Sequence, residues 1–431
     1  MHPRLATLRI PDFRLLLIGN FVGSFGLQMQ ATAVGWELYD RTHSAYALGF
    51  VGLVQVVPLF VLALHAGHFV DTHDRRRVLI WANSAFGAAA VGLALLSWLG
   101  GPVTGLYACL LVTGVARAFY GPARNALLPV LVPDDHLTNA VTWNSGAFQL
   151  AAVLGPAIAG ALIAVTGRPL TVYLLSAACW ASYGIMAVRI RYHDVDRSSE
   201  DIRWRELVGG VRFVWHTPLI LATITLDLMA VLLGGATTLL PVYAKDILHV
   251  GPAGLGWLDA APSLGAVAMA VWLAARPPMR HAGPTLLWAV AGFGAGTILF
   301  GIARAFPIAL AILVAIGALD MISVVVRSTL VPLLTPDDMR GRVGAINSLF
   351  IGTSNQFGGF ESGVVAGAFG PVFSVVSGGV GTLLVVAAAA WYWPEVRHLG
   401  SLQTAGAGAA DAAHSNPLDP DGIHISLTTG G

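Results

Sequence analysis

The chain has 431 residues, of which 56% are hydrophobic and only 11% are charged, with a formal net charge of +1 and a mean hydropathy of +0.72. A soluble domain carries roughly 25% charged residues, so this composition excludes a water-soluble globular protein and predicts a multi-pass membrane protein. The nearly neutral charge gives no support for a nucleic-acid-binding role.

Twelve apolar runs, each long enough to cross ~30 Å of hydrocarbon, follow one another along the chain. They cover residues 13–36, 46–70, 78–99, 103–128, 138–165, 170–190, 218–244, 253–275, 284–303, 306–331, 343–366 and 371–393. Six runs lie on each side of a polar stretch, which predicts an all-α protein of two pseudo-symmetric six-helix bundles. We expect these bundles at 1–190 and 218–397, a cytoplasmic linker with an amphipathic helix at 191–217, and a disordered tail at 398–431.

Predicted helix 1 is unusually polar for a membrane span, because it carries Asn20, Gln28 and Gln30 among its apolar residues. Amides inside a span either line a polar substrate cavity or bond to neighbouring helices, and the sequence leaves both alternatives open. The same run is too long for the apolar core of a cleavable signal peptide, so we expect none.

The loop between predicted helices 2 and 3 reads GHFVDTHDRRRV over residues 67–78. It resembles the signature loop G-x-x-x-D-x-x-x-R-[RK]-x-V of the major facilitator superfamily of transporters, although Thr72 and Asp74 depart from its usual residues. The alternative is that the basic run only sets membrane topology. The resemblance implies a conformational latch between the two halves, engaged in the outward-open state and formed by Gly67, Asp71, Arg75 and Arg76.

An internal repeat begins at the end of predicted helix 4. Residues 124–145 and 327–348 are identical at nine of 22 positions, at one fixed offset of 203. An offset near half the chain length indicates that one unit was duplicated. Paired membrane halves are the architecture of secondary transporters, in which one half rocks against the other around a site at the midplane.

Predicted helix 4 also contains Arg117, in the sequence RAFYG, which resembles a second superfamily motif associated with proton handling in drug antiporters. The repeat offset maps Arg117 onto Asp320 in predicted helix 10. Burying either charge alone is costly, so we expect both to face the central cavity and to pair in one conformational state. The alternatives are a permanent structural ion pair or separate local partners.

Two more carboxylates lie within predicted spans. Asp227 lies about nine residues into helix 7, roughly 14 Å deep, and is a candidate proton carrier or cation-binding group. The alternative is a hydrogen bond to Thr223, Thr225 or another helix. Glu361 in helix 11 is a weaker substrate ligand and a candidate relay of protons.

Predicted helix 5 carries the sequence GPAIAG, which resembles the G-P-x-x-G-G signature of superfamily antiporters. Its expected role is close packing against helix 8 together with a local kink, rather than chemistry. The resemblance favours export over uptake. The residues of this packing motif are Gly155, Pro156 and Gly160.

The basic residues predict the orientation in the membrane. With the N-terminus inside, 19 of the 24 Lys and Arg residues fall in cytoplasmic segments, four fall outside and Arg117 lies within a helix. This bias holds in both halves and places both termini in the cytoplasm.

Several function classes are excluded by what the sequence lacks. The single lysine, Lys245, is not part of a phosphate-binding loop or of the Asp-Lys-Thr-Gly motif of phosphorylated pumps. No His/Cys cluster has metal-ligand spacing, and no nucleophilic triad is recognisable. We therefore expect no enzymatic activity, no cofactor and no metal, and any uphill transport must use an ion gradient.

The segments 35–52 and 67–79, together with predicted helices 10–12, resemble the branch of enterobactin-exporter-like and macrolide-efflux-like permeases. The resemblance implies a monomeric, proton-coupled exporter of a small amphiphilic molecule, such as a drug or a siderophore, in the plasma (inner) membrane. Its partners would be this substrate, protons and the lipid bilayer. Metabolite uptake by facilitated diffusion and a non-transporting membrane sensor remain alternatives.

Overall fold

The computed structural model describes residues 7–191, 204–277, 279–336 and 339–400, and its regular secondary structure is helical, as predicted for an all-α protein. Twelve long helices in this range are numbered α1 to α12. They are Pro11–Thr42, Ala45–Thr72, Arg75–Leu99, Val103–Leu131, Asp134–Thr166, Leu170–Arg189, Pro218–Leu233, Gly251–Ala274, Ala282–Ile302, Phe306–Leu334, Arg340–Phe369 and Pro371–Tyr392. A linker helix, Trp204–His216, precedes α7, and a short helix, Pro394–His398, follows α12.

Ten spans in the part of the chain that the structure describes are long and apolar enough to cross a membrane, with α7 counted together with the turns that follow it as Pro218–Ile247. The other two, α1 and α11, carry several polar side chains but pack within the same bundles. The prediction of a multi-pass, all-α membrane protein is confirmed.

The seventh predicted span is not one regular helix. After α7 ends at Leu233, the chain continues as a 3-10 turn, Ala236–Leu239, a short α-helical turn, Leu240–Val242, and a π-helical turn, Tyr243–Ile247. Adjacent glycines at 234 and 235 lower helix propensity, and Pro241 removes a backbone donor, which explains the break.

The helices form two bundles. In the first, α1 packs against α5 and α6, and α3 packs against α4 and α6; in the second, α8 packs against α10, and α9 packs against α10 and α12. Large buried side chains such as Trp180 and Tyr183 fill the first bundle, and Leu226 and Leu330 are in the core of the second. Between the bundles, α2 packs against α11 and α5 packs against α8.

The molecule has two ends, named here by what lies at each. The loop face contains the α1–α2 connection at His43 and the α5–α6 connection at Gly167. The terminal face contains the beginning of α1 and the α2–α3 connection at His73. Because the helices alternate in direction, odd-numbered helices run from the terminal face to the loop face.

The linker helix lies at the terminal face. Its Val214 is buried against Val331 and Val343, whereas Val211 and Trp215 are exposed on another side of the helix. The side chains of residues 204–208, which contributed to the predicted amphipathic pattern, lie outside the described residues. Of the tail predicted to be disordered at 398–431, residues 398–400 are described and bond to the start of α9, and the rest lies outside the described residues.

Candidate functional site

The two bundles touch closely near the loop face. A Cβ atom on Gly160 of α5 would meet the carbonyl oxygen of Pro252 and lie 2.8 Å from the Cα of Gly256 on α8. On the other side of the molecule, a Cβ on Gly49 of α2 would lie 2.9 Å from the Cα of Gly363 on α11. Glycine pairs therefore allow backbone-to-backbone packing between the bundles at this level.

The remaining motif residues of α5 also lie at helix contacts. A Cβ on Gly155 would lie 2.7 Å from the Cβ of Gln28 on α1, and the carbonyl oxygen of Pro156 lies against Gly256 of α8. Gly155 thus packs inside the first bundle, whereas Pro156 and Gly160 lie between the bundles, and small residues permit a short distance between helix axes at both contacts.

Polar side chains join the bundles at the same face. The hydroxyl of Tyr39, near the end of α1, donates a hydrogen bond to Asp246, and Lys245 lies 2.5 Å from the carboxylate of Asp40. The Lys245 ammonium also lies 5.9 Å from the centre of the Trp36 ring. The irregular chain after α7 positions both Lys245 and Asp246 for these contacts.

One hydrogen bond between the bundles lies deeper. Thr32 of α1 donates to a carboxylate oxygen of Asp259 on α8 at 2.7 Å. Thr32 is buried, with 4% of its surface exposed. The sequence reasoning missed Asp259, although a lone acidic residue inside an apolar run is the same signal that identified Asp227.

Near the terminal face, some residues of α5 and α11 are exposed. Space is open around the Cα of Gly146 on α5 and of Gly344 on α11, where a Cβ atom would meet nothing within 4 Å. Val141 and Phe148 of α5 and Phe350 of α11 are exposed. The described close contacts between the bundles therefore lie toward the loop face, and these residues near the terminal face have open space beside them.

The predicted latch residues contact only the first bundle in this conformation. Asp71 is exposed and has no hydrogen-bond or ion-pair partner among the described residues, and the space beside Gly67 is open. Arg75 donates to the carbonyl oxygen of Ala126 at 3.1 Å. Arg76 donates to the last carbonyl groups of α6, at Ala187 (3.0 Å) and Val188, where a cation complements the helix dipole.

The second bundle holds a buried ion pair. Asp227 of α7 and Arg327 of α10 pair directly, with 7% and 6% of their surfaces exposed. The sequence predicts Arg327 as one of the cytoplasmic basic residues. For Asp227 it offers Thr223 and Thr225 as hydrogen-bond partners. Arg327 is identical to Arg124 at the equivalent position of the repeat, and this identity was the available signal that Arg327 has a structural role.

Asp320 lies close to this pair. A cavity of about 10 Å³, the size of one water molecule, is lined by Asp227, Asp320 and Ser323 together with apolar residues of α7 and α9. Two carboxylates and one guanidinium are thus brought together within the second bundle, where proton uptake can change the balance of charge.

Arg117 does not pair with Asp320 in this conformation. Its Nε is buried on α4 and has no hydrogen-bond partner among the described residues. An unpaired buried guanidinium is costly, so Arg117 is a strong candidate to bind an acidic group in another state or an acidic ligand.

Two polar residues of α1 lie at contacts between helices of the first bundle. Asn20 donates to Asn144 at 2.9 Å and accepts hydrogen bonds from Tyr120 at 3.3 Å and from Tyr183. Gln30 accepts a hydrogen bond from Ser176 at 3.2 Å. Both amides therefore connect helices inside the first bundle, which is the packing alternative that the sequence left open.

Glu361 on α11 is only partly buried. Its carboxylate accepts a hydrogen bond from Ser362 at 3.3 Å. Among the described residues no cluster of three or more His, Cys, Asp or Glu side chains could hold a metal ion. The charged groups available for function are therefore the carboxylates, Arg117 and Arg327.

The chain is similar to known transport proteins along most of its length. A family model described as transmembrane secretion effector matches residues 3–419. The multidrug efflux pump Tap of Mycobacterium tuberculosis is 28% identical over 361 residues, covering 79% of this chain and 84% of that protein. The enterobactin exporter EntS of Escherichia coli is 24% identical over 389 residues, covering 90% and 93%.

Solved structures share the fold. A transporter of the POT family in complex with 5-aminolevulinic acid superposes with a TM-score of 0.71 at 12% identity, covering 89% of this chain and 96% of that one. A bacterial homologue of the iron transporter ferroportin in an inward-facing state gives a TM-score of 0.67 at 17% identity, covering 89% and 99%. At these identities the likeness concerns the fold alone.

Proposed function

Because the chain belongs to the transmembrane secretion effector family of the major facilitator superfamily, we propose that it is a proton-coupled exporter of a small amphiphilic molecule. It is a multi-pass membrane transporter and not an enzyme. Its relatives, a multidrug efflux pump and an enterobactin exporter, support a drug or a siderophore as the substrate class.

The observation that carries this proposal is the asymmetric contact between the bundles. Contacts such as Gly160–Gly256 bring the bundles together at the loop face, whereas Gly146 and Gly344 near the terminal face have open space beside them. Alternating access requires a state of this kind, and its counterpart with the opposite face open. The bias of basic residues places the terminal face, with both termini, on the cytoplasmic side of the plasma (inner) membrane. With that topology, the conformation described here is the inward-open state.

Proton coupling is assigned to the charged groups at mid-depth. The cavity shared by Asp227 and Asp320, beside Arg327, brings together groups whose ion pairing changes when one carboxylate gains a proton. Arg117 on the opposite bundle is available to bind an acidic group when the bundles rearrange. Glu361 lies nearer the loop face and is proposed as a proton relay.

The latch is proposed to act in the other state. Asp71 is exposed here, and closing the terminal face would bring it to the beginning of α11, where a helix N-terminus attracts a carboxylate. Gly67 leaves room for this approach, and Arg75 and Arg76 hold the loop on the first bundle. The latch would then stabilise the outward-open state of a monomeric transporter.

The test is export of a dye or drug from proteoliposomes with an imposed pH gradient. Export that requires the gradient supports proton antiport. Transport that runs equally well without it would instead indicate facilitated diffusion. No transport of a broad panel of amphiphiles, by protein whose fold is intact, would favour a membrane sensor.

A further inference from the structure

The hydrogen bond between Thr32 and Asp259 lies at a special depth. Asp259 is eight residues after the start of α8, about 12 Å from the loop face along the helix. It is one turn deeper than Gly256, whose contact with Gly160 closes that face. The carboxylate therefore lies between the bundles, immediately below the seal.

Asp259 has no basic partner among the described residues; its hydrogen bond comes from the Thr32 hydroxyl. Nearby charged side chains on the elements packed against α8 are engaged elsewhere. Asp320 lies at the cavity with α7 and α9, and Asp134, Asp135 and His136 of α5 lie at the terminal face. The remaining pairs are Glu37–Arg41, Asp40–Lys245, Tyr39–Asp246 and Asp227–Arg327.

We propose that Asp259 is a positioning residue that links protonation to closure of the loop face. With a proton, its neutral carboxyl keeps the bond to Thr32 and the bundles stay together. Without the proton, a carboxylate that lacks a counter-charge is more stable in water, which it reaches when the loop face opens.

The direction of this linkage between protonation and closure suits antiport. The inference rests on the proposed function, proton-coupled export. An Asp259 that is protonated from the solution at the loop face favours closure of that face and opening of the terminal face. Release of the same proton at the terminal face then favours the return. One proton thus moves inward for each cycle that carries substrate outward, in addition to any carried by Asp227 and Asp320.

The test measures the distance between spin labels at Arg168→Cys in the first bundle and Ala305→Cys in the second, with Cys109 and Cys179 replaced by Ala. In purified protein, the long-distance population should grow with rising pH through one transition. Asp259→Asn keeps the shape and a hydrogen-bond acceptor, and should stay in the short-distance state. Thr32→Val should shift the transition downward by about one pH unit, because the protonated, closed state loses the hydrogen bond that holds the bundles together.

Histidines at the same face provide matched controls. His43 and His249 have φ of 50° and 52°, which Asn tolerates, so His43→Asn and His249→Asn should keep the fold and the transition. An unchanged transition in Asp259→Asn, or none in the parent protein, would overturn the proposal. A normal transition in protein that exports nothing would preserve it and reject the exporter.

Discussion

At the scale of single residues, the buried charges decide which groups can respond to protons. Asp227 and Arg327 neutralise each other, Asp320 lines a cavity with Asp227, and the Nε of Arg117 is buried without a partner among the described residues. Charges of this kind persist inside a membrane protein only when a partner or a function compensates the cost of desolvation. We therefore expect different effects from substituting the paired and the unpaired groups.

Breaking the buried pair should destabilise the protein. Asp227→Asn leaves Arg327 buried without a counter-charge, at a cost of about 3–5 kcal/mol, and should lower the thermal unfolding midpoint in detergent. Adding Arg327→Gln should recover part of that loss. Arg124→Gln is the control, since Arg124 occupies the equivalent repeat position but, among the described residues, contacts Asn125 and the Tyr120 ring and has no acidic partner. Equal midpoints for Asp227→Asn and the control would contradict a stabilising pair.

Removing the other two charges should impair coupling rather than folding. Asp320→Asn and Arg117→Gln are each expected to lower pH-gradient-driven export by about tenfold or more, because proton uptake loses its electrostatic consequence. Proteoliposome export rates provide the measurement, and Glu395→Gln, outside the spans, is the control. Near-normal export by both variants would remove these two residues from the mechanism.

At the scale of helices, contacts between glycines set how closely the bundles approach. Gly160 and Gly256 place the backbones of α5 and α8 against each other, and the Thr32–Asp259 and Lys245–Asp40 contacts lie on neighbouring elements. The irregular turns after α7 matter for the same reason, since they bring Lys245 to the first bundle. The loop face is closed by packing and by polar bonds together.

A methyl group at the seal should favour the opposite conformation. Gly160→Ala adds a Cβ atom where the backbone of Pro252 and Gly256 leaves no room, so α5 and α8 must separate and the loop face should open. The spin-label pair at residues 168 and 305 measures this as a longer distance. Gly146→Ala, on the same helix but in open space, should leave the distance unchanged. Identical distances in both variants would show that the glycine contact is not the seal.

At the scale of the whole molecule, orientation in the membrane determines which face is cytoplasmic and which faces the outside. A cysteine at Arg168→Cys, at the loop face, should react with a membrane-impermeant maleimide in intact cells. A cysteine at His73→Cys, at the terminal face, should react only after the membrane is opened. Both are placed in protein lacking Cys109 and Cys179. The reverse pattern would invert the topology and turn the inward-open interpretation into an outward-open one.

The sequence by itself determined the class of the molecule. Hydropathy and length predict twelve helices, because the cost of placing polar groups in hydrocarbon acts on each segment separately. The repeat offset and the motif at residues 67–78 predict two related bundles and the superfamily. The break in the seventh helix was not predicted, because the run around the glycines at 234 and 235 remains apolar.

Only the tertiary structure decided which side chains meet and which face is open. The partner of Asp227, the bond between Thr32 and Asp259, and the location of Asn20 within one bundle depend on how helices far apart in the sequence are rotated and shifted against one another. Those relative positions result from packing many weak contacts together. No local pattern of residues encodes them, and a transporter must change them in every cycle.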